Sequence, residues 1–446
     1  MNKGKSRFHG SRCFLAAAIA ATTLVSACSS GGQTGAAGDQ TGQKQEKSTP
    51  IEKLEPVVLN IYGGRYVSEE QFMESYGSYI QKKYPHISFN VYGNKNAADI
   101  VSAGQPIDIF YADPIAYPRD VGQFGLAYDM SALIKEFNFD QTRLYPGPIQ
   151  VMRDTFNKGV TGLPLAMRNV VLHYNKDLFD KFGVAPPRDG MTWDEVYELA
   201  RKMTRTEGGV QYRGMDFSVH VIDYNQLSLG WIDSKTERAS VNNSQWNELI
   251  RNFSRFYQIP GNEVGTPAAK EIMDWNRFGV KGITAMEATT FYPATVTKDL
   301  FNMDYASLPS FTSKPGVGSQ SPSTYIGITS SAKNPKEAFR VIEYLLSDEF
   351  QTMQSRKGTI SALQNKAVND VFGADVPELA GKNLKPVIPA KSAAPAPFHK
   401  WSGQTQASYW TPLLKVFTGE TDLNTGLRNM EESINKKIDE LNSSAK

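Results

Sequence analysis

Residues 163–179 read LPLAMRNVVLHYNKDLF. The run is apolar almost throughout, with one arginine, Arg168, set in its middle. Short apolar runs bounded by turn signals read as buried strands. A buried strand does not hold an unpaired guanidinium cheaply, because an isolated charge removed from water costs several kcal/mol or more. Arg168 therefore needs a carboxylate, solvent or a ligand, and the rest of the chain indicates which.

Strand-like and helix-like segments alternate on both sides of this run. VVLNIY (57–62) is a strand ending in Gly63-Gly64-Arg65, and Ser68 with Gln71 forms a capping box that opens a helix with Phe72, Tyr76 and Ile80 on one face. ISFNVY (87–92) and IDIFYAD (107–113) follow as strands, with a short helix over 97–103 between them. Strand–helix–strand alternation implies parallel sheets flanked by helices. Beyond the run, Thr192 with Glu195 forms another capping box, while ITAME (283–287) and STYIGIT (323–329) read as buried strands. Asn334 with Pro335 opens a further helix, and an amphipathic helix starting at Leu423 closes the chain. In open α/β sheets ligands bind beyond the carboxyl ends of strands, which makes Gly63–Arg65, Tyr111–Asp113 and Glu287–Tyr292 candidate lips of a crevice.

The first 27 residues carry Lys3, Lys5, Arg7 and Arg12, no acid, and then an alanine-rich apolar stretch too short for a spanning helix. This is the pattern of a secretory signal, and VSAC (25–28) resembles a bacterial lipobox with Cys28 as the lipidated residue. The chain has two cysteines, Cys13 in the signal and Cys28, so no thiol remains for a disulfide, a metal or catalysis. Losing the four basic residues takes the formal charge from +2 to −2, which gives no basic excess for nucleic acid. Residues 28–55 are rich in Gly, Ser, Thr and Gln and read as a flexible tether reaching roughly 25–30 Å. About 390 residues remain, more than one hydrophobic core usually supports, so two lobes are expected.

The segment GLPLAMRNVVLHYNKDLFDKFGVAPPRDGMTWDEVYELARKMT (162–204) resembles extracellular solute-binding proteins of ABC importers, the family of the maltose-binding protein. The shared features are a G-L-P strand, the YNKDLF stretch, a Pro-rich loop and a TW-D-E helix start. PIDIFYAD, NMDYASLPSF (302–311), STYIGITSSAKNPKEAFRVIEYLLSDE (323–349) and the final helix after Tyr409-Trp410 extend the similarity over 57–446. The resemblance implies a type II periplasmic-binding-protein-like α/β fold. Each of its two lobes is a mostly parallel sheet flanked by helices, with the ligand cleft between them. The expected division is 56–166 with 326–374 for the N-terminal lobe, and 167–325 with 375–446 for the C-terminal lobe. The first crossing between lobes would fall near Leu165–Asn169, with Arg168 on the cleft wall. The maltose binder carries an acidic residue at the corresponding position, so Arg168 departs from the pattern and argues against assuming a neutral sugar.

The resemblance also implies that Tyr111 and Asp113 clasp sugar hydroxyls from one lobe, and that Trp410, Tyr409 and Tyr224 supply contacts from the other. It places aromatic contacts at Phe291 and Tyr292. From the residues themselves, Glu287 ends its strand at the crevice, Arg65 follows a Gly-Gly loop that lets a ligand approach closely, and Trp401 lies beside His399 and Lys400 in a Pro-rich loop. Arg65, Arg168 and Lys400 together would suit an acidic oligosaccharide, because guanidinium groups pair carboxylates bidentately. The expected protein is a monomeric, lipid-anchored receptor on the outer face of a bacterial cell membrane. It takes a carbohydrate, hands it to ABC permease subunits, and needs no cofactor or metal. Two other classes remain in view. A carbohydrate-active enzyme would use Asp113 and Glu287 as paired carboxylates, but the chain has no G-x-S-x-G, H-E-x-x-H or P-loop motif. A metal receptor would favour adjacent tyrosines, and none are adjacent here.

Overall fold

The computed structural model describes residues 55–64, 67–156, 159–264, 276–396 and 398–444. The expected signal segment, Cys28, nearly all of the tether and Arg65 lie outside the described residues. The chain enters through strand β1 (Val57–Tyr62), which buries Leu59, Ile61 and Tyr62. Strands β2 (Ile87–Val91) and β3 (Ile109–Ala112) flank it in parallel, in the registers Val57↔Ile87 and Ile61↔Ile109. Parallel neighbours need long connections, and helices supply them. The first, α1 over residues 69–83, opens on the expected Ser68–Gln71 capping box and contains one π turn at Met73–Gly77. Helices α2 (Ala116–Asp120) and α3 (Pro146–Phe156) follow β3.

Strands β4 (Leu163–Met167) and β5 (Val170–Asn175) are separated by Arg168 and Asn169 alone, yet they belong to different sheets. Beyond them lie α4 (Trp193–Met203), opened by the Thr192–Glu195 capping box, then β6 (Asp216–Phe217), α5 (His220–Asp223), β7 (Met286–Thr290) and β8 (Met303–Ala306). The chain crosses again at Ser321–Pro322 into β9 (Ser323–Ile328), followed by α6 (Pro335–Leu345) and β10 (Ile360–Ser361). It ends in α7 (Ser402–Phe417) and α8 (Leu423–Ser444). The first sheet has the order β10-β4-β9-β3-β1-β2 and the second β8-β5-β7-β6.

Both sheets are mixed, with four of the six strands of the first and three of the four of the second running one way, in keeping with the mostly parallel expectation. The strands that run against the rest are β9 against β3 and β4, β10 against β4, and β5 against β7 and β8, and of these β9 and β5 follow a crossing directly. A boundary at 325/326 would cut β9, which pairs in the first sheet from Ser323 onward. The strand expected over 283–287 forms three residues later, at 286–290. Asn334 does not cap α6 with its side chain. The Asp108 carboxylate, fully buried, takes the Lys333 and Asn334 N–H groups at 2.6 and 3.3 Å and also binds Asn60. A carboxylate from a neighbouring strand end thus satisfies the helix start more strongly than a local amide can.

Each sheet has its own core. Around the first sheet, Leu59, Ile61, Leu163, Ile328, Phe339 and Ile342 pack together. Around the second, Trp193, Trp246, Phe253 and Phe256 interlock with α8, whose Met430, Ile434 and Ile438 have no exposed surface. Burying each such side chain contributes roughly 1.5–3 kcal/mol. Among the described residues no helix is long and apolar enough to cross a membrane.

His173 of β5 has no exposed surface and stacks on Tyr292 with ring centroids 4.0 Å apart. Burial pushes its pKa down to about 3 despite hydrogen bonds that favour the charged form. As pH falls, the unfolded chain takes this proton first. The stability contributed by neutral His173 is therefore complete above about pH 6.5 and drains away toward pH 3. Urea midpoints for the protein and for His173→Leu should show the variant losing less stability between pH 6.5 and 4.5, by up to ~1.4 kcal/mol per pH unit. Parallel losses in the two proteins would contradict the neutral buried imidazole.

Candidate ligand-binding cleft

Where β1, β3 and β4 end, they present a cavity of about 390 Å³ lined by Gly63, Tyr111, Asp113, Ala166, Arg168 and Phe291, among others. The strand ends converge because β3, β9 and β4 are neighbours in one sheet and β4 runs on at once into the other. Tyr111 stands at the base of the cavity, 9% exposed, with its ring 5.5 Å from that of Tyr76. Gly63 lets it sit there, since a Cβ at residue 63 would lie 2.3 Å from Tyr111 Cζ. Burial, and secondarily Tyr76, raises the Tyr111 pKa, so its hydroxyl stays protonated.

Asp113 is held by its own chain. One carboxylate oxygen accepts the N–H groups of Ile115 and Ala116 at 2.9 and 2.8 Å, and the other has no hydrogen-bond partner among the described residues. Arg168 is exposed, and its backbone N–H donates to Pro322 O at 2.8 Å. Its guanidinium makes no hydrogen bond or ion pair among the described residues. The arginine that looked buried within an apolar run occupies the link between the two sheets, where its charge stays in water.

The α5 turn of the second sheet lies within reach of the Arg168 and Asp113 charges. His220 stacks on Tyr224 at 5.7 Å, nearly coplanar, and its Nδ1 lies 3.1 Å from Ser218 Oγ. Burial, with the nearby Arg168 charge, pushes its pKa down to about 4. Asp223, 2% exposed, accepts hydrogen bonds from Gln406 Nε2 at 2.9 Å and from the Tyr409 hydroxyl. Burial raises the Asp223 pKa well above the usual carboxylate range, and the Asp113 charge adds to the rise. Tyr224 is raised by burial, then by Asp113 and Asp223, while Arg168 opposes. Asp113 and Arg168 are thus close enough to His220, Asp223 and Tyr224 for their charges to bear on these groups.

The cavity brings together Tyr111, Asp113, Arg168 and Phe291, while Tyr224 is buried and outside its lining. Phe291 is fixed by its N–H donating to Asn169 O at 2.8 Å. Tyr409 is fully buried and reaches the cleft only through Asp223. Trp410 is packed in the second core, and its indole N–H has no partner among the described residues. Trp401 is half-buried and donates to Asn442 Oδ1 at 3.0 Å, which ties it to α8. Glu287 accepts from the Tyr292 hydroxyl at 2.9 Å, and both belong to the His173 cluster within the second lobe. Sequence reasoning missed His220 and Asp223, which feel the Arg168 and Asp113 charges, and Tyr76, which lines the cavity. The first two follow the short strand β6, and applying the carboxyl-end rule there would have found them.

The lobes touch beside the cleft. Gln404 Nε2 donates to Gln123 Oε1 at 3.1 Å, and Ile115, just before α2, packs into the second core. A Cβ at Gly403 would lie 2.4 Å from Ile115 O and 2.8 Å from Arg119 Cβ. Gly403→Val should therefore hold α2 away from α7, giving a larger radius of gyration by small-angle scattering with unchanged far-UV circular dichroism. An unchanged radius would show that this contact does not set the lobe spacing.

No group of three or more His, Cys, Asp or Glu residues fit to hold a metal occurs among the described residues. A family model described as bacterial extracellular solute-binding protein matches residues 66–352. An uncharacterized ABC transporter extracellular-binding protein from Pyrococcus horikoshii is 22% identical over 413 residues, covering 86% of this chain and 88% of that protein. A Listeria monocytogenes ABC substrate-binding protein in complex with cycloalternan superposes with a TM-score of 0.69 at 18% identity, covering 86% of this chain and all of that one. A Rhizobium etli sugar transporter in an open conformation gives 0.67 at 18%, covering 85% and 99%. At such identities the structural likeness speaks for the fold.

Proposed function

Because the chain belongs to the bacterial extracellular solute-binding protein family, and is a solute-binding protein of an ABC transporter, we propose that it captures a carbohydrate by closing its two lobes and delivers it to the permease. The relatives solved with cycloalternan, tagatose and mannobiose support a sugar as the ligand class. The cleft is suited to one: Asp113 offers hydroxyls a carboxylate oxygen that has no partner among the described residues, and Tyr111 and Phe291 offer apolar faces to ring C–H groups. Paired carboxylates for hydrolysis find no support, because Glu287 is engaged with Tyr292 in the second lobe.

The observation that carries the reading is Arg168, a cation presented in the cleft with its guanidinium unpaired among the described residues. It favours an acidic oligosaccharide, such as one containing uronate. The division into lobes at 166/167 and 374/375, a monomeric state, and lipid anchoring through Cys28 at the outer face of the cell membrane belong to the same reading. A thermal-shift series with neutral and uronate-containing oligosaccharides tests it, since a ligand that binds only the folded state raises the midpoint. Arg168→Ala should weaken uronate binding by about tenfold or more and neutral binding much less, as expected for a lost charge-assisted pair. Equal losses for both would remove acidity from the account, and no shift with any glycan would remove the carbohydrate.

A further inference from the structure

A second cavity, of about 160 Å³, lies against the crossings and shares Met167 and Ile360 with the ligand cleft. Its remaining walls include Pro148 on one side and Ile388, Pro389 and Pro395 on the other. The two sides belong to different bodies. Pro148 lies on α3, which packs with the first sheet, and Met167 and Ile360 end strands of that sheet. The segment carrying Pro395 is tied to the second lobe: Ala396 N–H donates to Gln320 Oε1 at 2.6 Å, and Gln320 Nε2 donates to Asn225 O at 2.9 Å. At the rim the sides approach closely, for a Cβ at Gly147 would lie 3.2 Å from Pro395 Cγ. Between them lie crossing residues Asn169 and Ser321.

The lining is chiefly proline, isoleucine, methionine and alanine, so water gains few hydrogen bonds inside it. An engineered apolar cavity of about 150 Å³ is known to stay dry and to accept benzene. A small number of polar atoms give this one direction. Asn169 donates through Nδ2 to Val387 O at 2.7 Å, while its Oδ1 is buried with no partner among the described residues. Ser321 Oγ and Ser392 Oγ lie 2.6 Å apart and bridge the two last connections.

We propose that this cavity is a second binding site, for a ring-sized apolar molecule carrying one hydroxyl, and that its occupant biases the angle between the lobes. Rotation about Arg168–Asn169 and Ser321–Pro322 moves one wall relative to the other, so the cavity has different volumes in the open and closed forms. A molecule that fits one volume better stabilises that form by its difference in affinity, and thereby alters the affinity of the cleft for its own ligand. The proposal rests on the lobe-closure reading and is independent of what the cleft binds.

Benzyl alcohol titrated into the full chain tests it, with ligand-observed NMR reading occupancy and small-angle scattering reading lobe separation. The expected result is saturable binding accompanied by a change in radius of gyration. Binding should survive Arg168→Ala and weaken at least tenfold in Ala393→Leu, which fills the cavity from its wall. Ile388→Trp serves the same purpose from the rim if Ala393→Leu does not fold by circular dichroism. Non-saturable binding, binding retained in the folded filling variants, loss of binding in Arg168→Ala, or saturation without a change in radius would each overturn the proposal. None of these readouts requires a carbohydrate, so failure of the carbohydrate assignment leaves the test intact.

Discussion

Everything in this molecule depends on β4 and β5 being joined by two residues while lying in different sheets. So short a link cannot absorb a rotation by uncoiling, and any relative motion of the lobes has to pass through a few backbone torsions at Arg168 and Asn169. The other connections are laced to it: Arg168 N–H to Pro322 O at 2.8 Å, Val170 N–H to Ser319 Oγ at 3.1 Å, and Asn169 Nδ2 to Val387 O at 2.7 Å. Each such bond contributes about 1 kcal/mol net. The set therefore defines an axis without locking it, as a closing clamp requires.

The same link explains the electrostatics of the cleft. A residue between two sheets is beyond the reach of both ladders, so its side chain can remain charged in solvent while its neighbours Met167 and Asn169 are buried. The two aspartates differ for a related reason. Asp113 lies near the surface and is satisfied on one oxygen by a turn, whereas Asp223 is enclosed and held by Gln406 and Tyr409. Asp113 therefore offers an acceptor and Arg168, on the link between the lobes, a cation. A ligand that uses both and bridges the lobes binds the closed form better than the open one, and that difference is what shifts the population.

Much of the fold was legible in the sequence because its signals are local. Capping boxes at Ser68 and Thr192, the helical stripe ending in Ile434 and Ile438, and the strand runs at 57–62 and 323–328 report on residues a turn or a pleat apart. Strand direction was less legible, since whether a strand enters parallel or antiparallel depends on which lobe the chain has just left. The helix start at Asn334 and Pro335 was read correctly but not its capping, because Asp108, beside a distant strand, takes the Lys333 and Asn334 N–H groups instead. In the site, Asp113 and Arg168 were recoverable from strand ends and from a misplaced charge. Of the aromatic candidates, Tyr111 and Phe291 line the cavity, but Tyr292, adjacent to Phe291, does not. Trp410 has the same chemistry as a sugar-stacking residue but faces a core built from residues far away in sequence. Composition states what a ring can do, and tertiary packing decides which way it faces.

The central claim is that two lobes change their separation around a link of two residues when a ligand bridges them. Single-molecule energy transfer between dyes on Lys82→Cys in the first lobe and Lys235→Cys in the second, with Cys13 and Cys28 replaced by serine, measures that separation directly. The account predicts two populations whose balance moves toward the high-transfer state as a binding oligosaccharide is added, with midpoint equal to its dissociation constant. A single population unmoved at saturating ligand would contradict it.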